Sequence, residues 1–323
     1  MGKRILVVLV AMMLIFTADV LAGRAGDDEK EEFIKWISFD VPLAVLKQAY
    51  AYDVASQDEE YPLDFVQLLA YAAAKDWGNF KGSGESAAMN DVVGRIRAGE
   101  TMHEIAEGLK LYQHYLSAYQ AVLGGFVGEY EVAGTGERRY GLKVFSPMAK
   151  GFGFSHSDDF GNPRNYGYSR PHLGNDLFGR AGAPIIAVEG GVVEAMGWNK
   201  YGGWRIGIRS LCGKRYYYYA HLRKDTPYAE GLEVGDAVDA GDVIGYLGAT
   251  GYSDRENVSN IKVPHLHFGM QIIFDESQKD GNNQIWIDTY NIIKFLNQNR
   301  MEVVDCGDKC YRRAVEIESV PME

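Results

Sequence analysis

VPHLHFGM (263–270) sets two histidines, His265 and His267, on either side of one leucine, in a chain with seven histidines in 323 residues. Successive side chains of a strand point to opposite faces, so both imidazoles project from one face and Leu266 from the other. Two readings are open for the stretch alone: a half-buried strand with two polar positions, or part of a metal site.

Around this stretch the texture is that of an antiparallel β domain. From about Gly141 glycines become frequent and apolar runs shorten to strand length: Pro184–Val188, Val192–Ala195, Trp204–Ile208, Tyr216–Ala220, Val243–Leu247 and Phe268–Phe274. Turn residues such as Glu189-Gly190-Gly191 and Gly202-Gly203 separate them,. DTYNIIKFLNQNR (288–300) reads as one helix burying Ile292, Ile293 and Leu296, and residues 301–323 as a loose tail,.

Upstream, residues 32–140 are patterned as helices. Val45, Ala49, Tyr52 and Ala55, then Leu63, Val66, Leu69, Ala70 and Ala73, then Met102, Ile105, Leu109, Tyr112, Tyr115 and Tyr119 recur at helical intervals,. Gly78–Ser86 interrupts the pattern, Asn90 is a candidate cap for the next helix, and Gly99 a candidate stop,. The expected fold class is α+β, with a small N-terminal helical bundle ahead of an antiparallel β-sheet domain over 141–300.

The first residues address the compartment. Lys3 and Arg4 precede a continuous apolar run, Ile5–Phe16, and small residues at Val20 and Ala22 suit a signal peptidase,. Residues 1–22 are therefore expected to be a signal peptide cleaved after Ala22, with 23–31 as a polar linker. An uncleaved anchor over 5–23 is the rival, and it alone would bring the membrane in. Either way the body lies outside the cytoplasm, secreted or in the cell envelope. A net charge of -11 argues against nucleic acid as the main partner, since phosphates are repelled,. Three cysteines, Cys212, Cys306 and Cys310, do not make a disulfide framework, although Cys306 and Cys310 could close a small loop,.

Several features bear on the two histidines. His172 and Asp176 stand four apart, but Pro171 and Gly174 argue against a helix, leaving a turn that runs into a strand. Tyr217, Tyr219 and His221 alternate and are expected to share a face, with Tyr217 and Tyr219 as candidate cleft residues that contact substrate,. One Asp and several His can supply what a catalytic Zn²⁺ centre requires: three protein ligands, an open fourth position, and an imidazole to move a proton.

HLGND (172–176), GAPIIAVEGGVV (182–193), YAHL (219–222), GLEVGDAVDAGDVIGYLGATG (231–251) and HLHF (265–268) together resemble the LytM/lysostaphin-type zinc metallopeptidases, in the right order over about residues 165–275. The resemblance implies zinc bound by His172, Asp176 and His267. It implies His221 and His265 as catalytic histidines, one or both serving as general base and oxyanion stabiliser. It further implies an open antiparallel sheet with a groove over the metal, and peptide bonds of bacterial peptidoglycan cross-links as substrate. Residues 141–300 would then be the peptidase domain, and the helical domain would be free to dock a protein partner or cover the groove.

Three departures stand out. The thirteen residues Tyr252–Pro264 are longer than the family's usual link, Gly269 replaces a common acidic residue, and His156 is a candidate extra or inhibitory groove ligand. The alternative function is a catalytically silent cell-wall binding or scaffold homologue in division or sporulation. A lipoyl- or biotin-type carrier, suggested by GLEVGDAVDAGDVIG, lacks the presented lysine such a domain needs.

Overall fold

A computed structural model of the chain describes residues 39–80, 86–166, 168–281 and 283–319. The expected signal peptide and linker lie outside the described residues. No helix among the described residues is long and apolar enough to cross a membrane.

Among the described residues five helices come first: α1 (Leu43–Ala55), α2 (Phe65–Asp76), α3 (Ala87–Arg97), α4 (Met102–Ala106) and α5 (Tyr112–Leu123). Their starts follow capping chemistry. Asp64 accepts from the Gln67 amide at 2.7 Å, and Thr101 with Glu104 closes a reciprocal capping box,. Ser86 rather than Asn90 caps α3, accepting from the Met89 amide at 3.3 Å. Asn90 falls one turn in, where its side-chain oxygen accepts from Gln48 (2.8 Å) and Tyr52 (2.7 Å) and ties α3 to α1. Helix α2 is buried over most of its surface, from Phe65 to Ala74, and packs on α1, α3 and α5.

The strands are β1 (Val127–Val132), β2 (Glu137–Leu142), β3 (Phe154–His156), β4 (Pro163–Tyr166), β5 (Tyr168–Pro171), β6 (Asn175–Gly179), β7 (Pro184–Ile186), β8 (Gly191–Asn199), β9 (Gly203–Ser210), β10 (Arg215–Ala220), β11 (Ala237–Val238), β12 (Val243–Tyr246), β13 (His265–Ile272) and β14 (Ile285–Ile287). Helix α6 (Tyr290–Leu296) follows, then β15 (Val303–Gly307), β16 (Cys310–Arg313) and β17 (Ile317–Ser319). The principal sheet runs β11–β8–β9–β10–β13–β6–β3, with β14 also on β13, and every pairing in it is antiparallel. Strand β13 is central because its alternation serves both faces. Leu266, Phe268, Met270 and Ile272 are buried in the apolar core, while His265, His267 and Gly269 occupy the other face.

Two expectations are corrected. The boundary near residue 140 does not separate two cores, since one apolar cluster extends from Phe39 to Leu296. Tyr50 and Phe65 of the helical region both pack on Phe295 of α6, each with ring centroids 5.6 Å apart. Nor is the end of the chain loose: β15 and β16 form a hairpin, and β17 adds to β1 beside β2. Cys306 and Cys310 bracket the hairpin turn with their Sγ atoms 2.7 Å apart, and Cys212 stands exposed elsewhere.

Candidate metal centre

Register brings the site together. His267 of β13 is the direct cross-strand partner of Asp176 on β6, and Ala220 at the end of β10 is its partner on the other side. His172 precedes β6 by a turn, anchored by its amide to the Asn162 carbonyl (2.9 Å). Gly174 lets that turn pass the site, because a Cβ there would sit 2.6 Å from the Phe268 carbonyl oxygen and 2.8 Å from the His267 ring,.

Three donor atoms converge. His172 Nε2 lies 2.8 Å from His267 Nδ1 and 3.1 Å from Asp176 Oδ1, and His267 Nδ1 lies 3.3 Å from Asp176 Oδ1. Among the described residues, this is the one cluster of three or more such side chains able to hold a metal ion. A tetrahedral zinc with ligands at ~2.0–2.1 Å has ligand–ligand edges of about 3.3 Å, so the observed separations and the two-imidazole, one-carboxylate donor set fit zinc.

The surroundings orient these donors. His172 Nδ1 is 3.0 Å from the Asp159 carbonyl oxygen, to which it donates, and this turns Nε2 into the cluster,. Burial opposes charge on His172, but hydrogen bonds to Asp159 and Asp176 push its imidazole up to about 9. Burial alone would raise the Asp176 carboxyl, yet His172 and His267 hold it well below the usual carboxylate range. Burial lowers His267. The cluster thus joins an anionic carboxylate to an imidazole whose proton a bound cation would displace,. Arg164, on β4, braces it by donating to Asp159 Oδ2 (2.7 Å) and Asp176 Oδ2 (3.2 Å).

Two further histidines face the triad. His221 follows β10 in the left-handed conformation, φ 63°, and its Nδ1 donates to the Thr250 carbonyl at 2.9 Å. Gly251 is required beside it: a Cβ would fall 2.5 Å from the Tyr201 carbonyl oxygen and 3.1 Å from His221 Nδ1, at φ 124°. The glycine-rich GATG turn is therefore the seat of His221. His265 Nδ1 donates to the Val263 carbonyl at 2.8 Å, leaving Nε2 3.7 Å from Asp176 Oδ1. The His221 and His265 rings are 4.8 Å apart. Burial holds His221 well below its ordinary value, so it is neutral at neutral pH.

Tyr217 and Tyr219 are not cleft residues. Both are buried in the core, Tyr217 donating to Glu189 (2.7 Å) and Tyr219 accepting from the Val188 amide (3.0 Å). The strand ends at Ala220 and the left-handed bend at His221 breaks the alternation, so parity along β10 does not extend to it. The groove instead receives Tyr218, whose ring is 5.8 Å from His267, and Tyr216. Arg164, Arg170, Tyr201 and Tyr252 line the groove on one side of His267. Tyr252 comes from the long 252–264 link, pinned by Tyr166 donating to its carbonyl at 2.8 Å. Gly269 accommodates Trp286 and the Leu173 carbonyl, each within 3 Å of where a Cβ would stand. Asp159 and Arg164 escape sequence reasoning because only the hairpin geometry brings them to the triad.

His156 lies outside the triad. It sits on β3 at the sheet edge with its ring 4.6 Å from Tyr290, and both its nitrogens are buried without a hydrogen-bond partner among the described residues. Burial pushes its imidazole down to about 4. The unfolded chain takes up this proton near pH 6.5 and the folded chain does not, so stability is lost as pH falls from about 6.5 towards 4. His156→Phe is expected to remove about 2 kcal/mol of that loss, allowing for partial solvent screening. Urea unfolding at pH 7 and pH 4.5 in chelator checks it, and an unchanged difference between the two pH values would refute it.

Comparison with known proteins places these features. Residues 170–284 match the description Peptidase family M23. The L-Ala--D-Glu endopeptidase of Bacillus subtilis (strain 168) is 32% identical over 216 residues, covering 67% of this chain and 55% of that protein. Lysostaphin of Staphylococcus simulans is 39% identical over 98 residues, covering 30% of this chain and 17% of that one. The chain thus spans about half, or less, of the length of these curated relatives. The solved lytM protein from Ruminococcus gnavus ATCC 29149 superposes with a TM-score of 0.54 at 25% identity, over 81% of this chain and 92% of that one.

Proposed function

We propose, from the match of residues 170–284 to peptidase family M23, that the chain is an exported zinc metalloendopeptidase that hydrolyses peptide bonds in bacterial peptidoglycan. The observation that supports this most is the convergence of His172, Asp176 and His267 beneath a groove, with two more histidines facing them. His172, Asp176 and His267 would hold the metal. Bound there, zinc would supply Lewis-acid polarisation of the scissile carbonyl and lower the pKa of a water. His221, neutral and fixed through Nδ1, presents Nε2 to take the proton of the attacking water and to pass it to the leaving amine. His265, fixed in the same way by the Val263 carbonyl, stands beside it, and with a second proton on Nε2 it would donate to the charge that develops on the carbonyl oxygen,. Export rests on the basic and apolar N-terminal segment,.

The test is a digest of peptidoglycan by the full chain, read by mass spectrometry of released muropeptides, with His267→Ala and a chelated sample alongside. New peptide termini are expected from the zinc-loaded wild type alone. Zinc bound without cleavage would instead favour the silent cell-wall-binding alternative. Because a proton bound to His172 up to about pH 9 must leave for zinc to enter, apparent zinc affinity should rise about tenfold per pH unit up to that value,. Flat zinc affinity between pH 6 and pH 8 would contradict the ligand assignment.

A further inference from the structure

The groove continues past His267 into a second half that shares Leu173, Tyr218 and His267 with the first. This half is lined by Arg205, Lys279, Asp280 and Trp286 among others. Its cations differ in what they already hold. Lys279 is paired with Glu194 at 2.7 Å. In the first half, Arg164 is committed to Asp159 and Asp176, and Arg170 lies over the Tyr201 ring at 4.2 Å. Arg205 is different. It stands on β9 two residues before Gly207, the partner of Tyr218, and so projects from the groove face,. Its guanidinium makes no hydrogen bond or ion pair among the described residues, and its Nε is buried without an acceptor. Asp280 lines the same half without pairing with it.

A buried guanidinium N–H without an acceptor is costly, and a fork of N–H donors is matched by a carboxylate. A peptide without acidic side chains offers this fork only neutral carbonyls along its length. The chain as a whole carries -11 and repels anions, so a cation left open on the groove wall marks where an anion is admitted,. We propose that Arg205 binds a free carboxylate of the peptide substrate on the Trp286 side of the metal, so that the groove selects acidic peptides over neutral ones. This rests on the peptidase reading above and specifies its substrate class.

The test compares two synthetic tetrapeptides, Ala–D-Glu–Lys–D-Ala with the glutamyl carboxylate free or converted to the carboxamide. Binding to the zinc-loaded full chain is measured by calorimetry for wild type, Arg205→Gln, Arg205→Lys and Arg170→Gln, with cleavage followed separately. The acid is expected to bind wild type about tenfold more tightly than the amide. The preference should vanish in Arg205→Gln, survive in part in Arg205→Lys and persist in Arg170→Gln. Equal affinity for the two peptides, binding of neither, or a preference kept in Arg205→Gln but lost in Arg170→Gln would overturn the assignment. Preference without cleavage would leave the carboxylate site standing and count against the peptidase reading, whereas cleavage without preference would do the reverse.

Discussion

His221→Ala is expected to lower kcat by about 10²–10⁴-fold while zinc stays bound. His221 is not among the three converging ligand atoms, so its loss leaves His172, Asp176 and His267 in place. What goes is a neutral imidazole whose tautomer is set by the Thr250 carbonyl and whose Nε2 is free to accept a proton,. Burial is the main reason it stays neutral. Activity limited by this group should therefore persist to lower pH than an ordinary histidine would allow, until acid displaces the metal. Turnover on muropeptides and zinc content by mass spectrometry, measured on the same preparation, check the prediction. A variant that keeps more than about a tenth of wild-type turnover would move the proton transfer to His265.

Arg215→Met is expected to destabilise the fold by about 3–5 kcal/mol, the cost of leaving a buried ion-pair partner alone. Arg215 is 2% exposed at the start of β10. It donates to both Glu189 oxygens (2.8 and 2.6 Å), to the Ala121 carbonyl (2.9 Å) and to the Gly124 carbonyl (2.9 Å). The last two acceptors lie at the C-terminal end of α5, where carbonyls lack helical partners. One side chain thus ties the helical region to the principal sheet. Methionine would strand the Glu189 carboxylate, which among the described residues then keeps only the Tyr217 hydroxyl. The midpoint of thermal unfolding should fall by roughly 10 °C. Arg215→Met with Glu189→Leu should recover much of the loss, because two apolar groups leave no buried charge. A loss below about 1 kcal/mol in the single variant would show that the tie is not structural.

Motifs spread over about residues 165–275 pointed through a family resemblance to His172, Asp176 and His267, which the fold brings together, and the alternation of apolar residues foretold an antiparallel sheet. Period-two alternation in HLHF is local, so the shared face of His265 and His267 follows wherever the strand lies, while their meeting with His172 and Asp176 needed the pairing of β13 with β6. The sequence by itself also settled the α+β class, because the helical and strand patterns are each set by neighbours a few residues apart. Tertiary structure decided the rest. It placed Tyr217 and Tyr219 in the core, because a left-handed residue after Ala220 resets the face that His221 presents. It brought Asp159 and Arg164 against His172, a contact made by a hairpin folding over the site. It joined α1 and α2 to α6 in one core across a stretch that composition divides, and it turned an aperiodic C-terminal tail into strands whose partners are distant in the chain. In each case the deciding interaction links residues far apart in sequence, and nothing in a local pattern encodes which distant surface will be there to meet it.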